Sequence, residues 1–192
     1  VAPAVETRLL EQKVGYLKIP VLAPGKALEA KRELESLTEQ GAAHIVLDLR
    51  NAAGGTPQEA FELANLFVGS GTLGYLEGQT VEREAFRAKA GNAISSLPLV
   101  VLINQGTADA AEMAAAAIAE NNRAELVGLK TFGRGSVQRL LPLEGGWALL
   151  LSVANYYTPN GREIQKQGIE PTIEVAEGAP VDPLASPTGT SN

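Results

Sequence analysis

Apolar positions change period several times along the chain, and each change marks an element. Residues 5–10 and 14–21 read as two short extended segments joined around Glu11-Gln12-Lys13, and Pro20, Pro24 and Gly25 end the extended run. Over residues 27–40 the spacing becomes helical: Leu28, Leu34 and Leu37 form a stripe, Lys31 and Glu35 stand four apart, and Gly41 closes the segment. Residues 45–49 form an apolar run typical of a strand buried on both faces, followed by a turn over 50–55 that carries the pair Gly54-Gly55. Thr56-Pro57-Gln58-Glu59 is a capping box with proline at the first helical position, where its missing N–H costs nothing. The helix it opens runs to about Val68 and stops at Gly69. Strands are predicted over 72–77, 80–89 and 97–103, the last a second buried one, and a helix of small residues over 108–121. Further strands are predicted over 125–127, 136–142 and 147–157, with Glu144-Gly145-Gly146 turning the final pair.

Strands that alternate with helices give an α/β domain with a largely parallel central sheet. In such folds ligands bind beyond the carboxyl ends of the strands, so the strand-to-helix turns over 50–56 and 104–109 are the default place for a site. Prolines and small polar residues from 176 onward predict a flexible tail, which divides the chain into a core over 1–175 and a tail over 176–192. The chain begins with Val1 and carries no signal peptide, as expected of a processed or trimmed piece of a longer product.

Composition then works by exclusion. With no cysteine there are no disulfides, thiol catalysis, iron–sulfur clusters or cysteine zinc sites. One histidine, His44, excludes multi-histidine metal sites and leaves a Ser-His-Asp triad a single possible base. Of the 22 acidic residues only Asp48, Asp109 and Asp182 are aspartates. A net charge of −6 argues against a nucleic-acid platform, and no apolar run approaches the ~18 residues of a membrane span. No cofactor and no metal are called for.

Specific chemistry enters with two stretches: Asn104-Gln105-Gly106-Thr107-Ala108-Asp109-Ala110-Ala111-Glu112, and Thr131-Phe132-Gly133-Arg134-Gly135-Ser136-Val137-Gln138. Together with Leu47-Asp48-Leu49-Arg50, Gly54-Gly55, Asn122-Arg123-Ala124, Val127-Gly128, Tyr156-Tyr157-Thr158-Pro159, Gly161-Arg162, Ile164-Gln165 and Gly168-Ile169-Glu170-Pro171, they closely resemble the carboxy-terminal processing (tail-specific) proteases. The resemblance covers roughly residues 6–175, in family order and spacing. It implies a ClpP/crotonase-like α/β core, a polypeptide substrate or partner, and an extracytoplasmic bacterial parent. It also implies a serine endopeptidase with a Ser-Lys dyad and a nearby glutamine, and a PDZ module that does not occur in this chain.

The chain departs from the family pattern at the dyad. Asp109 stands at the serine position and Arg134 at the lysine position, 25 residues on, while Gln138 is retained. Serine attack needs a hydroxyl whose proton a base removes, and aspartate has none. Arginine stays protonated, so it cannot act as that base. The resemblance therefore implies a pseudo-protease that binds polypeptide without cleaving it. A small-ligand carrier, like the retinoid-binding repeats of the same superfamily, and a peptidase with a relocated site remain as alternatives.

Several residues carry two readings. Asp109 and Glu112 fit a helix-capping pair, and Asp109 with Arg134 fits an ion pair filling the former dyad; the two can coexist. An Asp109–Arg134 pair predicts a separation of ~2.7–2.9 Å. Gly54 and Gly55 match the family turn that supplies an oxyanion-hole amide alongside that of Ala110, and equally suit a tight turn before the Thr56 cap. Ser136 reads as a strand residue and, for a relocated site, as a nucleophile. Lys130 reads as an exposed loop lysine and as a substitute base. Residues 128–135 faintly resemble a phosphate-binding loop but lack its lysine and the following helix.

Overall fold

The computed structural model describes residues 2–79 and 81–176, the Glu144 side chain excepted. Ten strands and three α-helices alternate along them. They are β1 (Glu6–Leu10), β2 (Val14–Lys18), α1 (Lys26–Glu39), β3 (His44–Asp48), α2 (Pro57–Asn65), β4 (Thr72–Glu77), β5 (Glu84–Arg87), β6 (Leu99–Ile103), α3 (Ala110–Glu120), β7 (Glu125–Gly128), β8 (Ser136–Pro142), β9 (Ala148–Tyr157) and β10 (Ile173–Glu174). The central sheet has the order β1-β2-β3-β6-β7-β10, with every pairing parallel except β1–β2. This is the largely parallel sheet that the alternation predicts. A second, wholly antiparallel sheet, β5-β4-β9-β8, stands beside it. No helix of the described residues is long and apolar enough to cross a membrane.

The core lies between the central sheet and the three helices. Leu17, Ile45, Leu47, Val101 and Ile103 contribute from the strands, and Leu34, Leu37, Leu63 and Ile118 from the helices. Alanines Ala114 to Ala117 are all buried, so the backbone of α3 approaches its neighbours closely. Phe61 stacks on Phe86 with ring centroids 4.4 Å apart and meets Tyr156 edge-on, which ties α2 to the antiparallel sheet.

Three expectations change on folding. Leu34 and Leu37 are buried as predicted, but Leu28 is 52% exposed, and Lys26, Ala27 and Ala30 complete the buried face of α1. The capping box at Thr56 is half made. Thr56 Oγ1 accepts from Glu59 N, but the Glu59 carboxylate turns to the N-terminus of α1, where it accepts from Gly25 N and Ala27 N at 2.6 and 2.7 Å. Two orphan amides and the positive end of that helix offer a carboxylate more than one amide of its own helix does. The strand predicted over 80–89 is only Glu84–Arg87, and β10 had no separate signal because two residues show no period. The tail predicted from 176 lies, Ala176 apart, outside the described residues.

Candidate functional site

The two strand-to-helix turns follow adjacent parallel strands, β3 and β6, and hydrogen bonds join them. Asn51 N donates to Asn104 Oδ1 and Asn104 Nδ2 to Asn51 Oδ1, at 2.9 and 3.1 Å. Thr107 Oγ1 donates to the carbonyl of Leu49, and Ala108 N to that of Ala52, both at 2.8 Å. Asp48, at the end of β3, is 1% exposed; it takes a double hydrogen bond from Arg50 and one from the Tyr16 hydroxyl at 2.6 Å. Burial opposes the Asp48 charge, but the bonds from Arg50 and Tyr16 outweigh it and hold its carboxyl below the usual range. Burial and the neighbouring carboxylate push Tyr16 up to about 12. The base of the first turn is therefore charged and fixed.

At the end of the second turn Asp109 adopts φ 58°, ψ −125°, a sparsely populated conformation for a residue with a Cβ. This sharp entry lifts its side chain off the helix axis and toward the first turn. Asp109 Oδ2 accepts from Gly54 N at 3.0 Å. Arg134 Nη1 lies 3.4 Å from the same oxygen, with its side chain 55% exposed and its guanidinium 5.1 Å from the centre of the Phe132 ring. The ion pair thus forms, but longer than predicted and single-pronged. Gly54 already engages the shared oxygen, and Arg134 is drawn over the aromatic face.

Glu112 closes the site from behind. It is fully buried, and its carboxylate accepts from Thr131 Oγ1, from Gly133 N and Arg134 N at 2.7 and 2.8 Å, and from Asp109 N at 3.2 Å. The last of these is its part of the predicted capping pair; the other three fasten the 131–134 loop to the start of α3. Burial pushes the Glu112 carboxyl above the usual range, against the four donors that favour its charge. The capping motif signalled Glu112, but its partners around residue 131 left no local signal. Asn104 was legible as the first residue of the second turn, but its pairing with Asn51 was not.

The other predicted residues fall as follows. Ala110 is the first residue of α3, next to Asp109. Gly55 has φ +97°, and a Cβ there would lie 2.3 Å from the Leu22 carbonyl, whose oxygen takes the Thr56 N–H; its glycine is required by this turn whatever else it does. Gln138 is exposed on β8, two residues beyond Ser136, which pairs with Asn155. Lys130 is in an exposed ion pair with Glu170 at 2.6 Å, and His44 is exposed at the start of β3. A cavity of about 370 Å³ between α1, α2 and β5 is lined by none of Asp109, Arg134 or Gln138.

The chain and its fold have known relatives. The model of peptidase family S41 matches residues 13–175. The carboxyl-terminal-processing protease of Synechocystis sp. is 42% identical over 166 residues, covering 86% of this chain and 38% of that protein. Carboxy-terminal processing protease CtpA of Bacillus subtilis is 33% identical over 171 residues, covering 88% and 36%. The solved photosystem II D1 C-terminal processing protease superposes with a TM-score of 0.80 at 33% identity, covering 90% of this chain and 45% of that one. The chain spans about two fifths of the length of the curated relatives it matches.

Proposed function

The chain belongs to peptidase family S41, and from that premise we propose that it is a polypeptide-binding member in which Ser-Lys hydrolysis has been lost. The observation that carries this reading is the hydrogen bond from Gly54 N to Asp109 Oδ2 at 3.0 Å. By family resemblance that amide, with those of Gly55 and Ala110, would hold the oxyanion of a tetrahedral intermediate. Here a carboxylate of the chain itself sits on it, at the position from which a serine would attack. A second negative oxygen arriving there would be repelled, and a carboxylate offers no proton for a base to remove. Arg134 supplies a fixed positive charge where the family chemistry needs a neutral amine.

What remains is a surface on which a polypeptide could dock. The ends of β3 and β6, the Gly54 turn and the 131–134 loop frame it, and Gln138 lies on the strand leading from it. We assign it an extended polypeptide or a partner protein, and place the parent protein outside the cytoplasm, as the resemblance implies. The relocated-site alternative gains no support, because Lys130 is engaged by Glu170 and Ser136 by its strand.

The test is mass-spectrometric scanning of casein and unstructured peptides incubated with the 192-residue chain, alongside fluorophosphonate labelling and peptide-binding titrations. Saturable binding, without cleavage above a buffer control and without labelling, is expected. Turnover that survives Asp109→Ala would overturn the reading.

A further inference from the structure

The outer part of the hairpin formed by β8 and β9, beyond Gln138, has no role in the site just described, and its composition is unusual for a surface. Seven exposed large apolar side chains fall between residues 140 and 151: Leu140, Leu141, Leu143, Trp147, Leu149, Leu150 and Leu151, with Trp147 76% and Leu140 63% exposed. Directly opposed residues share a face and successive residues along a strand change face. The register Leu141↔Leu149 and Arg139↔Leu151 therefore sets five of the seven on one face, with Leu143 and Trp147 joined by the Leu143 N–H to Trp147 carbonyl bond at 2.8 Å. Leu140 and Leu150 lie on the other.

The rest of the fold does not cover this ribbon. β8 is an edge strand, and the ladder between β9 and β4 ends at Asn155, so residues 148–153 have β8 on one side and no paired strand on the other among the described residues. A two-stranded ribbon of this kind is marginal in water without a further strand or a packed face. Its charge permits self-association. Residues 136–157 hold one Arg139 and one Glu144, so this stretch is neutral in a chain of net charge −6. Two copies meeting here bring together a long neutral segment, which does not add to their mutual repulsion.

We propose that the five-residue face, Leu141, Leu143, Trp147, Leu149 and Leu151, packs against the same face of a second copy related by a two-fold axis. Taking about 200 Å² for a fully exposed large apolar side chain, these five groups present roughly 500 Å². That lies at the upper end of the ~300–600 Å² patch of an ordinary monomer and matches the non-polar share, about 60%, of the ~800 Å² per partner of a standard interface. An isologous contact closes at two copies, because each uses up the face it offers. The proposal is independent of whether the chain cleaves peptides.

The sequence supplies its own probes: Trp147 is the only tryptophan, and there is no cysteine. Light scattering on the intact chain over a wide concentration series should pass from monomer to dimer mass. Trp147 emission should shift to the blue with the same midpoint. Leu149→Arg places a charge in the contact and should weaken dimerisation by at least ~100-fold while leaving the circular dichroism unchanged. Leu141→Arg, on the paired strand, serves as the second variant. Trp147→Cys should give a disulfide-linked dimer on mild oxidation, and Leu10→Cys, exposed on β1 in the other sheet, should not. A chain that stays monomeric throughout, with Trp147 emission fixed, would overturn the proposal and leave the face to another polypeptide. A dimer that persists in both arginine variants would place the contact elsewhere, and growth beyond two copies would refute the two-fold closure.

Discussion

Replacing Glu112 tests how the site is held together, and the structure sets the size of the effect. The carboxylate accepts four hydrogen bonds, two of them, from Thr131 Oγ1 and Gly133 N, wholly buried. A buried donor left without an acceptor costs about 1–3 kcal/mol, so Glu112→Ala should cost about 2–6 kcal/mol if the 131–134 loop stays in place. The loop has an escape, because swinging into water re-solvates its amides and caps the loss near ~3 kcal/mol. At ~2–4 °C per kcal/mol for a chain of this size, the melting temperature should fall by about 6–12 °C, and the amides of Gly133 and Arg134 should lose protection from hydrogen exchange. Glu112→Gln keeps the shape but offers one acceptor oxygen, and should lose about half as much. The pH dependence has a definite sign. Because burial raises the folded-state pKa of Glu112, its contribution is complete below the unfolded value of ~4.3 and is lost as pH rises through the folded value. The parent's advantage over Glu112→Gln should therefore be largest in acid and narrow as pH increases. A Glu112→Ala protein that melts within ~2 °C of the parent, with Gly133 and Arg134 still protected, would refute the clamp.

Arg50→Ala should destabilise by about 2–4 kcal/mol at neutral pH, measured by denaturant melts, because it strands the buried Asp48 carboxylate with only Tyr16 and the residue-50 amide as donors. Since the Asp48 pKa is lowered, the parent should lose that contribution as pH falls from ~3.9 through the folded value, and Asp48→Asn should remove the dependence. Arg134→Ala should change stability by only ~0–1 kcal/mol in thermal melts, because the pair is 3.4 Å long and its cation more than half exposed. Asp109→Ser and Arg134→Lys should each stay unlabelled by fluorophosphonate; labelling of either single variant would show that these are not the dyad positions, and only the double variant assembles a hydroxyl with a neutralisable base. Gly55→Ala should cost ~2–3 kcal/mol or block folding, since its Cβ would meet the Leu22 carbonyl at 2.3 Å; an unchanged melt would show that the turn yields.

What was legible in the sequence divides along a physical line. Elements whose signal is local were read closely: the alternation of β3, α2, β6 and α3 follows from period, glycine and cap. The cluster at the ends of β3 and β6 follows from the rule that adjacent parallel strands bring their following turns together. Long-range choices were not legible. A capping signature identifies Glu59 and Glu112 as carboxylates near a helix start, but not that Glu59 serves the N-terminus of α1, 32 residues earlier, or that Glu112 holds a loop 19 residues on. Of the antiparallel sheet only the β8–β9 hairpin, turned at Glu144-Gly145-Gly146, was legible; apolar period cannot say that β4 lies beside β9. Nor can it say whether an apolar strand is covered, and the β8–β9 hairpin is the case in point.

The same division explains how the site keeps its shape whatever side chain stands at 109. The strained turn at Asp109 is set by Thr107 Oγ1 on the Leu49 carbonyl, Ala108 N on the Ala52 carbonyl, the Asn51–Asn104 pair and Glu112 on the Asp109 amide. None of these bonds involves the side chain at 109. Together they hold a backbone conformation costing of order 1–3 kcal/mol, so the side chain at 109 can change while its aim does not. A carboxylate placed there meets the Gly54 amide because the amide is already aimed at that point, and Arg134 approaches because its own backbone is tied to Glu112. The residues that shape the turn are therefore separable from the side chain that it presents.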